Sequence, residues 1–229
     1  VRYMSSLRRR AADRLPWTPA TTELHSRADV WTGLGRELER ADVDVINLRW
    51  LGTGTLSIEE IGRLARPVVL TLHDMWAFCG AEHYSYDERY VTGYRRGDRP
   101  PGEAGVDWNR RTWRRKRRSW RRPMHLTTPS RWLADRARSS ALMRDWPVTV
   151  IPNPLDTEFW RPTDPTAARS ALGLPRNPTL VLTGADGGVD RFVKGGDLLD
   201  AALHRLPGRT PDNGQRDIEV VTFGGPQRW

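Results

Sequence analysis

A single cysteine, Cys79, stands in a chain of 229 residues. It has no partner for an internal disulfide, so a disulfide-stapled fold is excluded and a reducing compartment fits. Long apolar runs are also missing. The longest is PVVLTL at 67–72, far short of the roughly 20 residues that a membrane-spanning helix takes. Ser5 to Leu15 is charged and holds no apolar h-region, so no signal peptide is visible. A cytoplasmic protein is the expectation, with peripheral contact at the inner membrane face as a further possibility to test. Dinucleotide fingerprint, P-loop, CxxC pair and Tyr-x-x-x-Lys dyad are all absent, which argues against a nucleotide-sugar epimerase and the common zinc modules. Acid is the scarcer charge: 28 acidic against 37 basic residues leave a net charge of +9. That surplus favours anionic partners, whether phosphate, nucleic acid or acidic headgroups.

What is present alternates. VDVINL (43–48), PVVLTL (67–72), MHLTTP (124–129) and PVTVIP (147–152) read as strands. They are near-continuously apolar, as in a parallel sheet covered on both faces. Between them SIEEIGRLA (57–65) reads as a helix with Ser57 and Glu60 at capping-box spacing. SRWLADRARSS is a second helix, with Ser130 as its N-cap. Strand and helix in alternation are the signature of a doubly wound α/β fold. PNPLDTEFWRPTDP (152–165) holds four prolines and reads as a connection between domains. The pattern then restarts: helix in TAARSALGL, strand in TLVLTG, helix in KGGDLLDAALHRL with Leu198, Leu199, Ala202 and Leu206 on one face, and strand in DIEVVTF.

Three stretches carry candidate chemistry. In TLHDMWAFCGAEHY (71–84), His73 and Asp74 fall just past the carboxyl end of a strand, the edge where open α/β sheets bind ligands. A histidine there donates to a substrate oxygen or shuttles a proton; the plainer reading is a histidine that caps a carbonyl. A zinc reading would use His73, Cys79 and His83, with Glu82, at spacings that match no common zinc pattern. In GADGGVDRFVKGGDLL (184–199), glycines and the start of a helix let backbone N–H groups approach an anion, and Lys194 adds a mobile positive charge. The plainer reading is a solvated loop. In RRTWRRKRRSWRR (110–122), Trp113 and Trp120 share a helix face with Lys116 near it. Three readings stay open: nucleic-acid stacking, insertion into an anionic membrane, and a surface helix that packs its Trp side and leaves its arginines solvated.

Taken together, VINLRWL, RPVVLTLHDMWAFCGAEHY, TPSRWLADRARSS, VTVIPNPLDTEFWRP, RSALGLP and TGADGGVDRFVKGGDLLDAAL resemble family 4 retaining glycosyltransferases, especially those that build bacterial exopolysaccharides such as colanic acid. The resemblance runs from about Val43 to Leu206. It implies an α/β, GT-B-like fold. Residues 1–151 would be a Rossmann-like N-terminal, acceptor-side domain that lacks the usual first strand and Gly loop. Residues 152–165 would be the interdomain connection, and 166–229 an incomplete second Rossmann-like, donor-side domain. It implies transfer of a sugar from a nucleoside diphosphate sugar to a polysaccharide or lipid-linked hydroxyl, with no cofactor and no metal. His73 would sit near the transferred sugar, supported by Asp74. Lys194 and Gly195 would hold the donor diphosphate, with Arg191 as a second cation. Nucleic acid is not an expected partner on this reading; a non-catalytic basic module acting through 110–122 is its competitor. The chain departs from the family pattern in places. Arg49 stands where relatives often have His, Ala185 where an Arg often follows the glycine, and the family's paired glutamates are absent. The sequence therefore reads as cut at both ends, with little transferase activity expected of the chain alone.

Overall fold

The computed structural model describes residues 17–18, 24–185, 194–206 and 218–224. They form two compact units, Val1–Pro154 and Leu155–Trp229. In the first unit the described elements are β1 (Trp17–Thr18), α1 (Leu34–Arg40), β2 (Ile46–Arg49), α2 (Ile58–Arg63), β3 (Val68–Thr71), α3 (Arg89–Thr92), β4 (Ala104–Gly105), α4 (Trp108–Ser119), β5 (His125–Thr128), α5 (Arg131–Ser139) and β6 (Val148–Val150). Strands β2, β3, β5 and β6 make one four-stranded sheet in that order, every pairing parallel. β1 and β4 pair antiparallel apart from it. This is the α/β, Rossmann-like architecture of a GT-B N-terminal domain.

Local chemistry sets the helix starts. Ser57 accepts from the Glu60 N–H while Glu60 Oε2 accepts from the Ser57 N–H, a complete capping box for α2. The same carboxylate accepts from the backbone N–H groups of Thr32, Gly33 and Gly35 at the start of α1. Burial pushes the Glu60 carboxyl up, but the hydrogen bonds from Ser57, Thr32 and Gly33 outweigh it and hold it below its ordinary 4.5. One buried anion therefore joins two helix N-termini, where the helix dipoles favour it. Ser130 caps α5 by accepting from the Leu133 N–H.

The core forms where the apolar faces meet. Leu48, Leu70 and Leu126 from three strands, Ile58 and Ile61 from α2, Phe78, Trp113 from α4 and Trp120 at its C-cap are all buried in one cluster. α4 lies close against α2: a Cβ at Gly62 would collide with the Ser119 carbonyl, so only glycine fits that crossing. Trp120 Nε1 donates to the Ile58 carbonyl at 2.9 Å, which fixes the same pair of helices.

In the second unit α6 (Pro165–Ala171) starts at Asp164, whose side chain accepts from the Ala167 N–H. β7 (Thr179–Gly184) and β8 (Ile218–Phe223) pair in parallel, and α7 (Gly196–His204) lies between them in sequence. The apolar face of α7 differs from the expected one. Leu203 is its buried leucine, whereas Leu198 is 72% exposed and Leu206 is exposed as well. The face that carries Leu198, Ala202 and Leu206 is exposed. Among the described residues, no helix is long and apolar enough to cross a membrane.

Candidate active site

The carboxyl edge of the parallel sheet collects the polar groups. β2 and β3 are in register at Arg49 and Thr71, so the residues that follow each strand emerge side by side. His73 lies two residues beyond β3 and is exposed. Arg49 Nη2 lies 3.4 Å from His73 Nε2. A guanidinium only donates, so Nε2 is the acceptor and the ring proton sits on Nδ1. That leaves the His73 Nδ1–H with no protein partner among the described residues.

Asp74 does not support His73 directly, contrary to the sequence expectation. Its Oδ1 accepts from the Trp76 N–H at 2.9 Å and its Oδ2 lies 2.6 Å from His83 Nδ1. His83 Nε2 in turn meets the Ser26 hydroxyl at 2.8 Å. His83 and Ser26 are buried. The chain Asp74–His83–Ser26 pins the segment after β3 to residues 24–26, and backbone bonds add to it: Ser26 N–H to Ala81 O, His83 N–H to Leu24 O. Asp74 thus fixes the loop that presents His73 and leaves His73 to Arg49.

A second fastening comes from the basic helix. Lys116 is fully buried on α4, and its ammonium donates to the carbonyls of Trp76, Cys79 and Gly80, while lying 3.9 Å from the centre of the Trp76 ring. Three carbonyl acceptors match the three N–H donors of an ammonium, and the Trp76 ring adds a cation–π contact. Burial opposes the charge and lowers the lysine to about 7, with Cys79, Glu82 and Asp74 working against that fall. Glu82, buried beside this cluster, is pushed up by burial; the Tyr94 hydroxyl donates to its Oε1. Burial also raises the Cys79 thiol well above 9.0, so it stays protonated and inert.

These contacts decide among the readings of the basic run. Trp113 and Trp120 point into the core, Lys116 holds the loop, and Arg115 pairs with Glu59 at 2.6 Å and donates to the carbonyls of Arg27 and Ala28. No indole of α4's Trp113 and Trp120 is left for base stacking or membrane insertion; Arg111, Arg114, Arg117 and Arg118 form a solvated face. The aromatic half of the nucleic-acid or lipid reading is thereby corrected. Trp76 and Phe78 are likewise core residues. His83, having both nitrogens engaged, is not placed to bind a metal with His73. Among the described residues no His, Cys, Asp and Glu cluster could hold one.

Sequence reasoning did not single out Trp50. It follows Arg49 with φ 39°, a left-handed backbone that costs a bulky residue about 1–3 kcal/mol. Its ring is half exposed and rests over Gly52 and His83: a Cβ at Gly52 would come within 3.0 Å of Trp50 Cζ2, and the ring centres of Trp50 and His83 are 6.5 Å apart. Nothing in the local sequence marks that strain; only the NLRWLGTG spacing, with Gly52 and Gly54 just after it, hints at a tight turn.

In the second unit, Lys194 is exposed just before α7 and makes no ion pair among the described residues. Gly195 is the N-cap with φ 68°, a conformation that glycine adopts without strain. The N–H groups of the first turn have no side-chain cap. Arg191 lies outside the described residues.

The parallel sheet carries at its carboxyl edge a fastened loop that bears an exposed imidazole, at the edge where open α/β sheets bind ligands. The family model described as Glycosyltransferase Family 4 matches residues 5–159. No curated protein and no solved structure matches the chain. With more than half of its length inside that match, and its first unit folded as such a domain folds, the chain belongs to glycosyltransferase family 4.

Proposed function

We propose that the protein moves a sugar from a nucleoside diphosphate sugar to a hydroxyl of a polysaccharide or lipid-linked acceptor, with retention at the anomeric carbon, in exopolysaccharide assembly. The observation that carries this reading is the exposed imidazole of His73, open at Nδ1, at the sheet edge of a family 4 domain. That donor binds a hydroxyl of the transferred sugar. Asp74 acts by fastening the loop through His83. Lys194 and the N–H groups behind Gly195, with Arg191, hold the donor diphosphate, where positive charge stabilises the departing nucleotide. The first unit takes the acceptor and the second the donor. No metal is required. The arginine face of α4 offers a peripheral contact to an anionic membrane.

The test is a transfer assay across nucleoside diphosphate sugars, with the anomeric configuration of the product read by NMR. Because little turnover is expected of the chain alone, the assay runs at high protein concentration and long incubation; the trace product is expected to keep the donor configuration and to vanish in His73→Ala. An inverted product, or turnover indifferent to His73→Ala, overturns the reading.

A further inference from the structure

We propose that Arg49 and Trp50 form a subsite for an anionic pyranose, a sugar bearing a carboxylate or a phosphate. The inference rests on the glycosyltransferase reading and names the class of sugar it handles.

Three observations converge. First, Arg49 is exposed, and among the described residues its only polar contact is His73 Nε2. No carboxylate lies within ion-pair distance of it among those residues. Its remaining N–H donors form an open fork that matches a carboxylate or phosphate in two parallel hydrogen bonds. Second, the acid next to His73 in sequence bonds elsewhere. Asp74 makes its hydrogen bonds to the Trp76 N–H and to His83, so it does not occupy the guanidinium's donors. Third, the next residue supplies a ring. Trp50 has a left-handed backbone and half its surface in solvent, with Gly52 and the tilted His83 ring beside it. A fixed, exposed indole is the surface on which the C–H face of a pyranose packs, and its rigidity keeps the ordering cost of binding low.

A neutral sugar meets the ring and the imidazole but gives the guanidinium only hydroxyl acceptors. An anionic sugar satisfies all three groups. Charge-assisted, two-pronged pairing at an edge with no competing carboxylate makes the anion the preferred occupant.

The experiment uses the full chain and ligand-detected NMR with three probes: methyl β-glucoside, methyl β-glucuronide and glucose 6-phosphate. At least one anionic probe is expected to bind about tenfold tighter than the glucoside, a factor typical of one charge-assisted pair. Whichever anion binds tighter identifies the carboxylate or the phosphate as the natural group. Arg49→Gln and Arg49→His are expected to erase most of that preference, and Trp50→Ala to weaken all three probes alike. Equal binding of all three probes, or a preference that survives Arg49→Gln, overturns the inference. Titration of the same unmodified sample with UDP and GDP separates the two readings. Nucleotide binding without an anion preference sinks only the subsite. An anion preference without nucleotide binding sinks the transferase reading and leaves the subsite standing.

Discussion

His83 Nδ1 lies 2.6 Å from Asp74 Oδ2, and this pair, not a contact with His73, is what the aspartate contributes. Asp74→Asn keeps the shape but replaces the carboxylate that His83 addresses. Losing a buried, charge-assisted hydrogen bond costs about 1–3 kcal/mol. Thermal unfolding of Asp74→Asn and His83→Asn should show losses of that size, and the double variant should lose less than their sum, because the two residues share one bond. Additive losses would mean that the pair does not act as a unit.

Lys116 gives a pH signature. In the folded chain it titrates at about 7, below its ordinary 10.5. Between those values the unfolded chain holds a proton that the folded chain has released, so this group makes stability rise with pH across that interval. Cys79 and Tyr94, both raised by burial, act in the opposite sense above their ordinary 9.0 and 10.0. The lysine is therefore read most cleanly between pH 7 and 9.0. Lys116→Met should be less stable by about 1–3 kcal/mol, since buried carbonyls lose their donor. Its denaturation midpoint should also lack the rise over that range. A parallel offset, with the slope unchanged, would show that the buried ammonium does not titrate as described.

Glu60 has the reverse sign. Its carboxyl is held below 4.5, so its contribution is full above that value and lost as pH falls through the lower folded-state value. Glu60→Gln should cost about 1–3 kcal/mol near neutrality and blunt the acid limb of the stability curve. Urea unfolding on either side of 4.5 checks both effects. An acid limb as steep as in the parent would assign it to other carboxylates.

The solvated arginines of α4 should be separable from the chemistry. Arg114→Ser, Arg117→Ser and Arg118→Ser together should leave UDP and GDP binding unchanged and weaken binding to vesicles rich in phosphatidylserine. Loss of nucleotide binding in the triple variant would return the basic helix to the centre of the account.

Much of this was legible in the chain. The four parallel strands followed from their continuous apolar runs, and the capping box of Ser57 and Glu60 and the cap at Ser130 from spacings of three residues. Such contacts are local, and local chemistry is written locally. What stayed hidden depends on distance along the chain. Lys116 finds carbonyls 36 to 40 residues away, Arg115 finds Glu59 at a separation of 56, and His83 finds Ser26 at 57. No spacing rule connects such pairs. A run of nine basic residues in thirteen at 110–122 reads as a surface because charge is costly to bury; Lys116 escapes that rule because backbone carbonyls cage it. Asp74 read as the partner of its neighbour His73, whereas the folded loop turned it to a histidine nine residues on. The left-handed backbone at Trp50 has no sequence signal, since glycine or asparagine is the usual occupant there.

Calorimetric titration of the chain with UDP and GDP, alongside Lys194→Ala, tests the central claim most directly. The account predicts saturable binding of at least one nucleoside diphosphate, weakened about tenfold or more by Lys194→Ala, the loss of roughly 1.4 kcal/mol. No binding of either nucleotide, or equal affinity in Lys194→Ala, would contradict it.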